Sequence, residues 1–237
     1  MAEGYPFFKL TNFRNALTLF ILICSGISVI SCLTGCAQSK TIGNPTLERD
    51  QILGAYEVET DEKRSLYLGQ MAHRISKAAS LNAPIRIAVL KTDFPLAISI
   101  SNGDIFISRG FIKRLKNEEA FAFVVAHELS HALLEHHLAG KPDSAFELSA
   151  DNLALNIILR AGYPAESIFE AVIDSYSTGN SSAQDTIASN FRDDLMVHPS
   201  LQERIKNLKD KVGEIGIIPA NTQIVAGESF ETFIATL

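Results

Sequence analysis

The sequence predicts an α+β fold that is mostly helical, with a small antiparallel β-sheet or hairpin ahead of a long helix. Apolar residues recur at helical spacing over residues 61–80, and further helical segments span residues 117–140 and 144–161. Residues 85–90 and 98–108 are rich in isoleucine, and the second segment alternates in polarity as a strand does. Together these elements indicate a single folded domain over residues 61–212.

The elements before the long helix are predicted from periodicity and turn chemistry. In the helix over 61–80, one face collects Leu66, Leu68, Met71, Ile75 and Ala79. In the segment 98–108, Asn102-Gly103 lies between alternating apolar residues, which is typical of a two-residue type I′ hairpin turn. Such a turn would bring four isoleucines to one face of the hairpin, namely Ile98, Ile100, Ile105 and Ile107.

The long helix begins with a recognisable capping pattern. Asn117 is a preferred N-cap residue, and Glu118 and Glu119 place negative charge where the helix dipole favours it. We expect this helix to continue unbroken to Gly140. The remaining predictions are a second helix over 144–161, helices that begin near Pro164 and Pro199, and a polar loop over 177–190. The tail over 213–237 contains strand-like pieces that are not placed in the fold.

The composition limits the class of protein. The chain has 237 residues, of which 46% are hydrophobic and 20% are charged, and its formal net charge is −6. The apolar content excludes a disordered chain, and the acidic balance argues against a nucleic-acid partner. Three cysteines cannot form a disulfide framework. The mean hydropathy of +0.13 is high for a soluble domain and indicates a membrane or targeting segment.

That segment lies at the N-terminus. Lys9 and Arg14 precede an apolar run over 16–30, as in a secretory signal peptide. The run ends in Leu-Thr-Gly-Cys at 33–36, which resembles the lipobox of bacterial lipoproteins. The resemblance implies that residues 1–35 are a signal peptide, that Cys36 is acylated, and that residues 36–60 are a lipid anchor and tether. The alternative is an uncleaved transmembrane anchor, since about 20 apolar residues can span a bilayer.

Either alternative places the protein in the cell envelope, held to a membrane outside the cytoplasm. Ala37 follows the cysteine in place of the aspartate that tends to retain lipoproteins in the inner membrane. If the cell is Gram-negative, the expected location is therefore the periplasmic face of the outer membrane.

One motif in the long helix points to chemistry. His127, Glu128 and His131 form the pattern H-E-x-x-H, and residues four apart share a helix face, so both imidazoles can bind one ion. Zinc at such a site activates a water, and the glutamate accepts its proton. We expect one zinc ion per chain. The alternative is a pair of core histidines with ordinary hydrogen bonds, although buried histidines and glutamate are costly unless they are satisfied.

A zinc site of this kind needs a third protein ligand, and two candidates are present. His137 has the metzincin spacing, but Leu134 stands where that pattern needs a glycine, and on an unbroken helix His136 and His137 would point away from the site. Glu147, on the next helix, is the preferred candidate, although Ser144 and Glu147 also fit a capping box. Asp151, one turn later, is placed to accept the free ring N–H of a ligand histidine.

Several segments carry a resemblance to a known family. They are residues 103–110 (GDIFISRG), 126–131 (AHELSH), 147–151 (ELSAD), 161–164 (AGYP) and the His-Pro…Arg pattern over 198–204. In this order they resemble the HtpX-like zinc metallopeptidases, relatives of the CAAX prenyl endopeptidases that include envelope proteases anchored as lipoproteins. The resemblance implies a zincin-like domain of the gluzincin type in which His127, His131 and Glu147 bind zinc.

The same resemblance implies further roles. Glu128 would be the general base and Asp151 would lie behind the ligands. His198 would lie near the cleft, donating to the oxyanion or covering the zinc, with a helix cap before Pro199 as the alternative. Arg204 would tie helices around the catalytic helix.

The resemblance also implies an edge strand along which an extended substrate pairs, formed by Ile105, Phe106 and Ile107. The family often has a Gly-Gly turn in this hairpin, where this chain has Asn102-Gly103.

The function expected from the sequence is a membrane-anchored zinc metalloendopeptidase. Its partners would be protein or peptide substrates, misfolded or unassembled envelope proteins above all, and the membrane through the lipid anchor. The alternative from another class is a lipid-anchored chaperone or assembly factor with a silent zinc site.

Overall fold

The computed structural model describes residues 43–139, 143–165, 168–169, 172–173, 200–215 and 229–237. These residues belong to one compact unit that spans 41–237. The predicted signal peptide over 1–35, Cys36, the predicted polar loop over 177–190 and His198 lie outside the described residues. Within the described ranges, no helix has both the length and the apolar character needed to cross a bilayer.

The described elements follow one another in an order close to that predicted. The helices are α1 (Pro45–Ala55), α2 (Glu62–Ala78), α3 (Arg109–Ile112), α4 (Glu118–Leu133), α5 (Ser144–Arg160), α6 (Leu201–Ile215) and α7 (Phe230–Ala235). The strands are β1 (Ile87–Leu90), β2 (Ala97–Ser99) and β3 (Ile105–Ser108), and a 3₁₀ turn spans His136–Leu138. A mostly helical α+β fold is therefore confirmed.

The three strands form a mixed sheet rather than the purely antiparallel one that the sequence predicted. Their order is β1-β3-β2, with β3 in the centre. β2 and β3 are antiparallel, as expected of a hairpin, whereas β1 pairs with β3 in parallel. The parallel pairing arises because the chain crosses from the end of β1 to β2 before it turns back into β3.

The hairpin turn differs from the predicted type I′ turn, and the pairing shifts by one residue as a result. Ile100 pairs with Asp104 and Gly103 donates its N–H to the Ile100 carbonyl, so the loop has three residues. Gly103 has φ +84°, and Asn102 does not share a positive φ, as in a turn followed by a left-handed residue.

A shift of one residue moves each side chain of the affected strand to the opposite face. Ile98 and Ile100 therefore lie with Phe106 in a small cluster that covers one face of the sheet. Ile105 and Ile107 lie in the main core on the other face. The predicted single face of four isoleucines is wrong.

The segment predicted as a tether over 36–60 contains a helix. The Asn44 side chain accepts hydrogen bonds from the first-turn amides of α1, and Pro45 stands at the first helical position, where it is well tolerated. Ile52 of α1 is completely buried in the small cluster beneath the sheet. Only one narrow face of α1 packs against the rest of the protein. The segment is therefore polar in composition, which is why the sequence suggested a linker.

The first turn of α4 is anchored by residues that the sequence analysis did not single out. Glu118 accepts hydrogen bonds from the hydroxyls of Tyr163, at 2.8 Å, and Tyr67, at 3.3 Å. Arg74 lies over the Tyr163 ring and donates to the Ala161 carbonyl at 2.7 Å. These contacts fix the N-terminal end of α4 against α2 and the end of α5.

The end of α4 also differs from the prediction. The helix ends at Leu133, and Glu135 adopts the left-handed conformation with φ 55° before the 3₁₀ turn. The expected unbroken helix to Gly140 therefore stops two turns early. No glycine marks this stop, which is why the sequence pattern did not reveal it.

The core is centred on α4, which is buried on nearly all sides by α2, the sheet and α5. The C-terminal tail, which the sequence left unassigned, contributes α7 to this core. Phe233 of α7 is fully buried, stacks on Tyr67 at a centroid distance of 4.6 Å and lies 5.9 Å from Phe121 of α4. The tail thus closes the core beside the helix that carries the candidate site.

We predict that Gly110→Ala lowers the free energy of unfolding by about 1–3 kcal/mol, because overpacking forces backbone shifts. A Cβ at Gly110 would lie 2.1 Å from the carbonyl oxygen of Asp93, a backbone atom that cannot rotate away. The matched control is Gly69→Ala, since nothing lies within 4 Å of a Cβ there, on an exposed face of α2. The control should gain about 0.5–1 kcal/mol of stability from helix propensity. Equal effects of the two variants in urea unfolding would contradict the packing argument.

Candidate metal centre

Two imidazoles on α4 define the centre of the site. His127 and His131 are one helical turn apart, and their Nε2 atoms lie 3.0 Å from each other. The rings meet edge to face with centroids 4.7 Å apart, so the two nitrogens converge on one point while the rings splay away from it. The local sequence makes this possible because apolar residues on both sides bury α4 and hold its position.

Glu147, in the first turn of α5, supplies a carboxylate to the same point. Its Oε2 lies 3.4 Å from His127 Nε2, and its Oε1 lies 3.3 Å from His131 Nε2. α5 begins at an N-cap formed by Asp143, not Ser144, so the capping-box alternative for Glu147 is not realised. The side chain is instead directed towards α4.

The donor set fits a tetrahedral metal ion. Metal–nitrogen and metal–oxygen bonds of about 2.0–2.2 Å require ligand atoms to lie roughly 3.3–3.5 Å apart at tetrahedral angles. The separations between the ligand atoms of the three groups are 3.0, 3.3 and 3.4 Å. Within the described residues, His127, His131 and Glu147 are the group of three ligating side chains that could hold an ion together.

The three side chains differ in their access to solvent. The side chains of His127 and Glu147 are 12% and 10% exposed, whereas that of His131 is 21% exposed. One side of the centre is therefore closed by the helices and the other remains accessible. An ion bound by three protein ligands here would keep a coordination position open, as catalytic sites do.

Glu128 lies next to the ligands and contacts the edge strand of the sheet. Its Oε2 accepts a hydrogen bond from the Ser99 hydroxyl at 3.4 Å. Burial raises the pKa of the Glu128 carboxyl above its usual range, although the imidazoles of His131 and His127 act in the opposite direction. A carboxylate with a raised pKa is suited to accepting and returning a proton near neutral pH.

A fully buried ion pair lies behind the ligands. Arg204 of α6 donates to both carboxylate oxygens of Asp151, from Nε at 2.7 Å and from a terminal nitrogen at 2.5 Å. The other terminal nitrogen of Arg204 lies 3.6 Å from Glu147. Burial alone would raise the pKa of Asp151, but its hydrogen bonds with Arg204 and the nearby His127 imidazole hold that pKa below its usual value. Asp151 therefore stays ionised in the interior.

Asp151 also approaches the first histidine. Its Oδ1 lies 3.0 Å from His127 Nδ1, on the side of the ring opposite the metal-facing Nε2. No well-aligned acceptor meets this Nδ1 in the structure, so the contact is chiefly electrostatic.

Burial disfavours the charged imidazole of His127, yet Asp151 and Glu147 outweigh it and raise the pKa of His127 to about 10. A metal ion would have to displace that proton, because only the neutral imidazole binds metal.

The structure brings most of the predicted site residues together. His127, Glu128, His131, Glu147 and Asp151 meet between α4 and α5, and Arg204 joins them from α6. His198 and Cys36 lie outside the described residues, so nothing is added to their predicted roles.

The predicted substrate edge strand is wrong. Ile105, Phe106 and Ile107 belong to β3, which is paired on both sides as the central strand. The edge strand beside α4 is β2. In the antiparallel pairing, the backbone groups of Ile98 face β3, so those of Ala97 and Ser99 face outward. No other strand pairs with them in the described part of the chain.

Sequence reasoning missed Ser99 beside the site, and its expectation that His136 points away from the site is wrong. Ser99 contacts Glu128, and the ring of His136 contacts His131. Both depend on features that carry no local signal, namely the hairpin register and the early end of α4. His137, the other candidate third ligand, lies apart from the converging ligand atoms and lines a surface groove near the hairpin turn.

Two helical histidines, a carboxylate from the next helix and an adjacent glutamate define a candidate metal-dependent hydrolase. Comparison with known families narrows this class, since residues 62–141 match the model of Peptidase family M48. The match indicates a peptidase and supports metal dependence. It includes the H-E-x-x-H helix and ends before Glu147, Asp151 and Arg204. The assignment of these three residues to the site therefore rests on the geometry. No curated protein sequence matches the chain.

We predict that Arg204→Leu lowers the free energy of unfolding by about 3–5 kcal/mol, because it removes the guanidinium that compensates the buried Asp151 carboxylate and leaves only the His127 ring beside it. The matched control is Lys211→Ala on the same helix, which removes an exposed ion pair with Glu214 at 2.8 Å. Such a pair is worth less than about 1 kcal/mol. Urea unfolding of the two variants checks this, and an Arg204→Leu variant as stable as the control would contradict the assignment of a buried, compensating guanidinium.

Proposed function

We propose that this protein is a membrane-anchored zinc metalloendopeptidase in which Glu128 acts as general base. The observation that carries the proposal is the convergence of His127, His131 and Glu147 on one point, with Glu128 beside it and one side left accessible. The match to Peptidase family M48 supports the same reaction class. Two imidazoles and one carboxylate form a donor set typical of catalytic zinc.

Zinc held by these three side chains would supply Lewis acidity, which activates water and polarises the peptide carbonyl. Glu128 would accept a proton from the attacking water and deliver it to the leaving amine, so that the glutamate ends the cycle unchanged. Burial disfavours the charged form of this carboxyl and so favours its acceptance of the proton. Ser99 would orient the carboxylate through its hydroxyl.

An extended substrate would lie along the outer edge of β2. The amide and carbonyl groups of Ala97 and Ser99 face this edge, and an added peptide strand could pair with them. Ser99 contacts Glu128, so a peptide paired at this edge would pass close to the proposed base. This placement replaces the predicted edge at 105–107 and keeps the principle of strand addition.

The membrane attachment and the substrates belong to the proposal as well. The lipobox-like sequence ending at Cys36 supports anchoring in the cell envelope, and the resemblance to lipoprotein members of the family supports misfolded or unassembled envelope proteins as substrates. The first described helix begins at Pro45, which leaves a short stretch of chain between the proposed lipid and the folded domain.

We predict that Glu128→Gln retains bound zinc but loses at least about 100-fold of casein cleavage, since general base catalysis contributes 10²–10⁴-fold. Metal content and proteolysis are measured on the same purified sample. Glu62→Gln is the matched control, because Glu62 is an exposed carboxylate in the first turn of α2. Full activity of Glu128→Gln would contradict the mechanism. If the wild type cleaves nothing and both proteins suppress client aggregation equally, the chaperone alternative replaces the protease.

We predict that the protein incorporates a labelled fatty acid at Cys36. The intact mass of the wild type should correspond to a chain that begins at residue 36 and carries acyl groups. Cys36→Ser should incorporate no label, whereas Cys32→Ser, altered within the segment to be removed, should behave as the wild type. An unmodified mass of the full 237 residues in the membrane fraction would contradict lipidation and support the uncleaved anchor.

A further inference from the structure

His136 lies directly behind the second histidine of the proposed metal site. The left-handed Glu135 turns the chain back after α4, and this brings His136 Nδ1 to 3.0 Å from His131 Nδ1. The His136 ring is stacked on Phe146 of α5, with centroids 4.4 Å apart and planes 15° apart. The stacking fixes the plane of the ring, so its nitrogen is held in place for the contact with His131.

The hydrogen bonds around the His136 ring define a single arrangement of protons. If His131 Nε2 faces the metal, the neutral ring must carry its proton on Nδ1. That Nδ1–H then donates to His136 Nδ1, and His136 must carry its own proton on Nε2. The Nε2–H donates to the Ser149 hydroxyl at 3.3 Å, and the Ser149 hydroxyl donates to the Phe146 carbonyl at 2.9 Å. Each donor in this series of hydrogen bonds has an acceptor.

We propose that His136 is a positioning residue that fixes the ring orientation and the Nδ1–H tautomer of His131 for metal binding. This inference rests on the proposed metal site. Partners behind a ligand histidine orient the ring, and their loss typically costs 10–100-fold in metal affinity or activity.

The two ligand histidines are then supported by groups of different charge. His127 faces the Asp151 carboxylate, itself neutralised by Arg204, whereas His131 faces a neutral imidazole. A neutral acceptor orients the second ligand without adding a further negative charge, which would weaken the Lewis acidity of the ion. His131, the more exposed of the two ligands, is thus oriented by His136, which is itself fixed by its stack on Phe146 and its hydrogen bond to Ser149.

The test compares two substitutions at one position. His136→Phe keeps an aromatic ring to stack on Phe146 but removes the acceptor, and His136→Asn supplies an oxygen near the Nδ1 position but removes the stack. The neighbouring His137→Phe is the matched control, because His137 lies apart from the ligand atoms. Zinc affinity is measured by competition with a chromophoric chelator, and thermal unfolding of the metal-free proteins reports the effect on the fold.

We expect His136→Phe to weaken zinc binding by about 10–100-fold, and His136→Asn to weaken it less, because it keeps an acceptor but loses the stack on Phe146. His137→Phe should remain close to the wild type. Unchanged affinity in His136→Phe would overturn the inference. Equal weakening in His136→Phe and His136→Asn would also overturn it, because a purely structural role of the ring would then explain the loss.

A direct readout is ¹⁵N NMR of the imidazoles in the zinc-loaded protein. The inference requires a protonated Nδ1 on His131, an unprotonated Nδ1 and a protonated Nε2 on His136, and a scalar coupling across the hydrogen bond. A proton on His136 Nδ1 would overturn it. These outcomes are separable from the proposed function: a wild type that binds no zinc contradicts the metal site, whereas a zinc-loaded wild type with the wrong tautomer contradicts only the role of His136.

Discussion

The packing of α4 against α5 is the contact on which the rest of the structure depends, because it buries ionisable groups from both helices. His127 and His131 project from α4, and Glu147 and Asp151 project from α5. Burial of these groups without partners would cost several kcal/mol each. The helices can therefore pack closely only if a third element brings compensating charge, which is the role of Arg204 on α6.

The elements around this pair have to hold α4 in a fixed position. Glu118 and its two tyrosine partners hold the first turn, and Phe121 packs beside Phe233 of the C-terminal helix. The sheet covers another face, where β2 brings Ser99 to Glu128. The segment predicted as a tether contributes α1 to the core, and the C-terminal segment beyond residue 212 contributes α7. The folded unit is therefore longer at each end than the predicted domain over 61–212.

The sequence was sufficient for the parts of the site that are local. The spacing of His127 and His131 on a helix is a property of one turn, and the start of α4 at the Asn117 cap follows from short-range rules. The approach of Glu147 was predicted because a metal site needs a third ligand. The hairpin register, the central position of β3 and the contact of His136 with His131 were not predicted. Each depends on a backbone conformation that the local residue types do not indicate. Glu135 adopts a positive φ without being glycine or asparagine.

The left-handed residue at Glu135 connects the end of α4 to the chemistry of the site. An unbroken helix would carry His136 away from His131, and among the described side chains the hydrogen-bond partner of His131 Nδ1 is His136. A positive φ at a residue other than glycine is unfavourable unless the surrounding structure compensates for it. Here the compensation is visible in the stack of His136 on Phe146 and in the hydrogen bond to Ser149, both of which belong to α5. The helix that supplies the carboxylate to the proposed metal site therefore also holds the residue that orients the second histidine, so a displacement of α5 would disturb both at once.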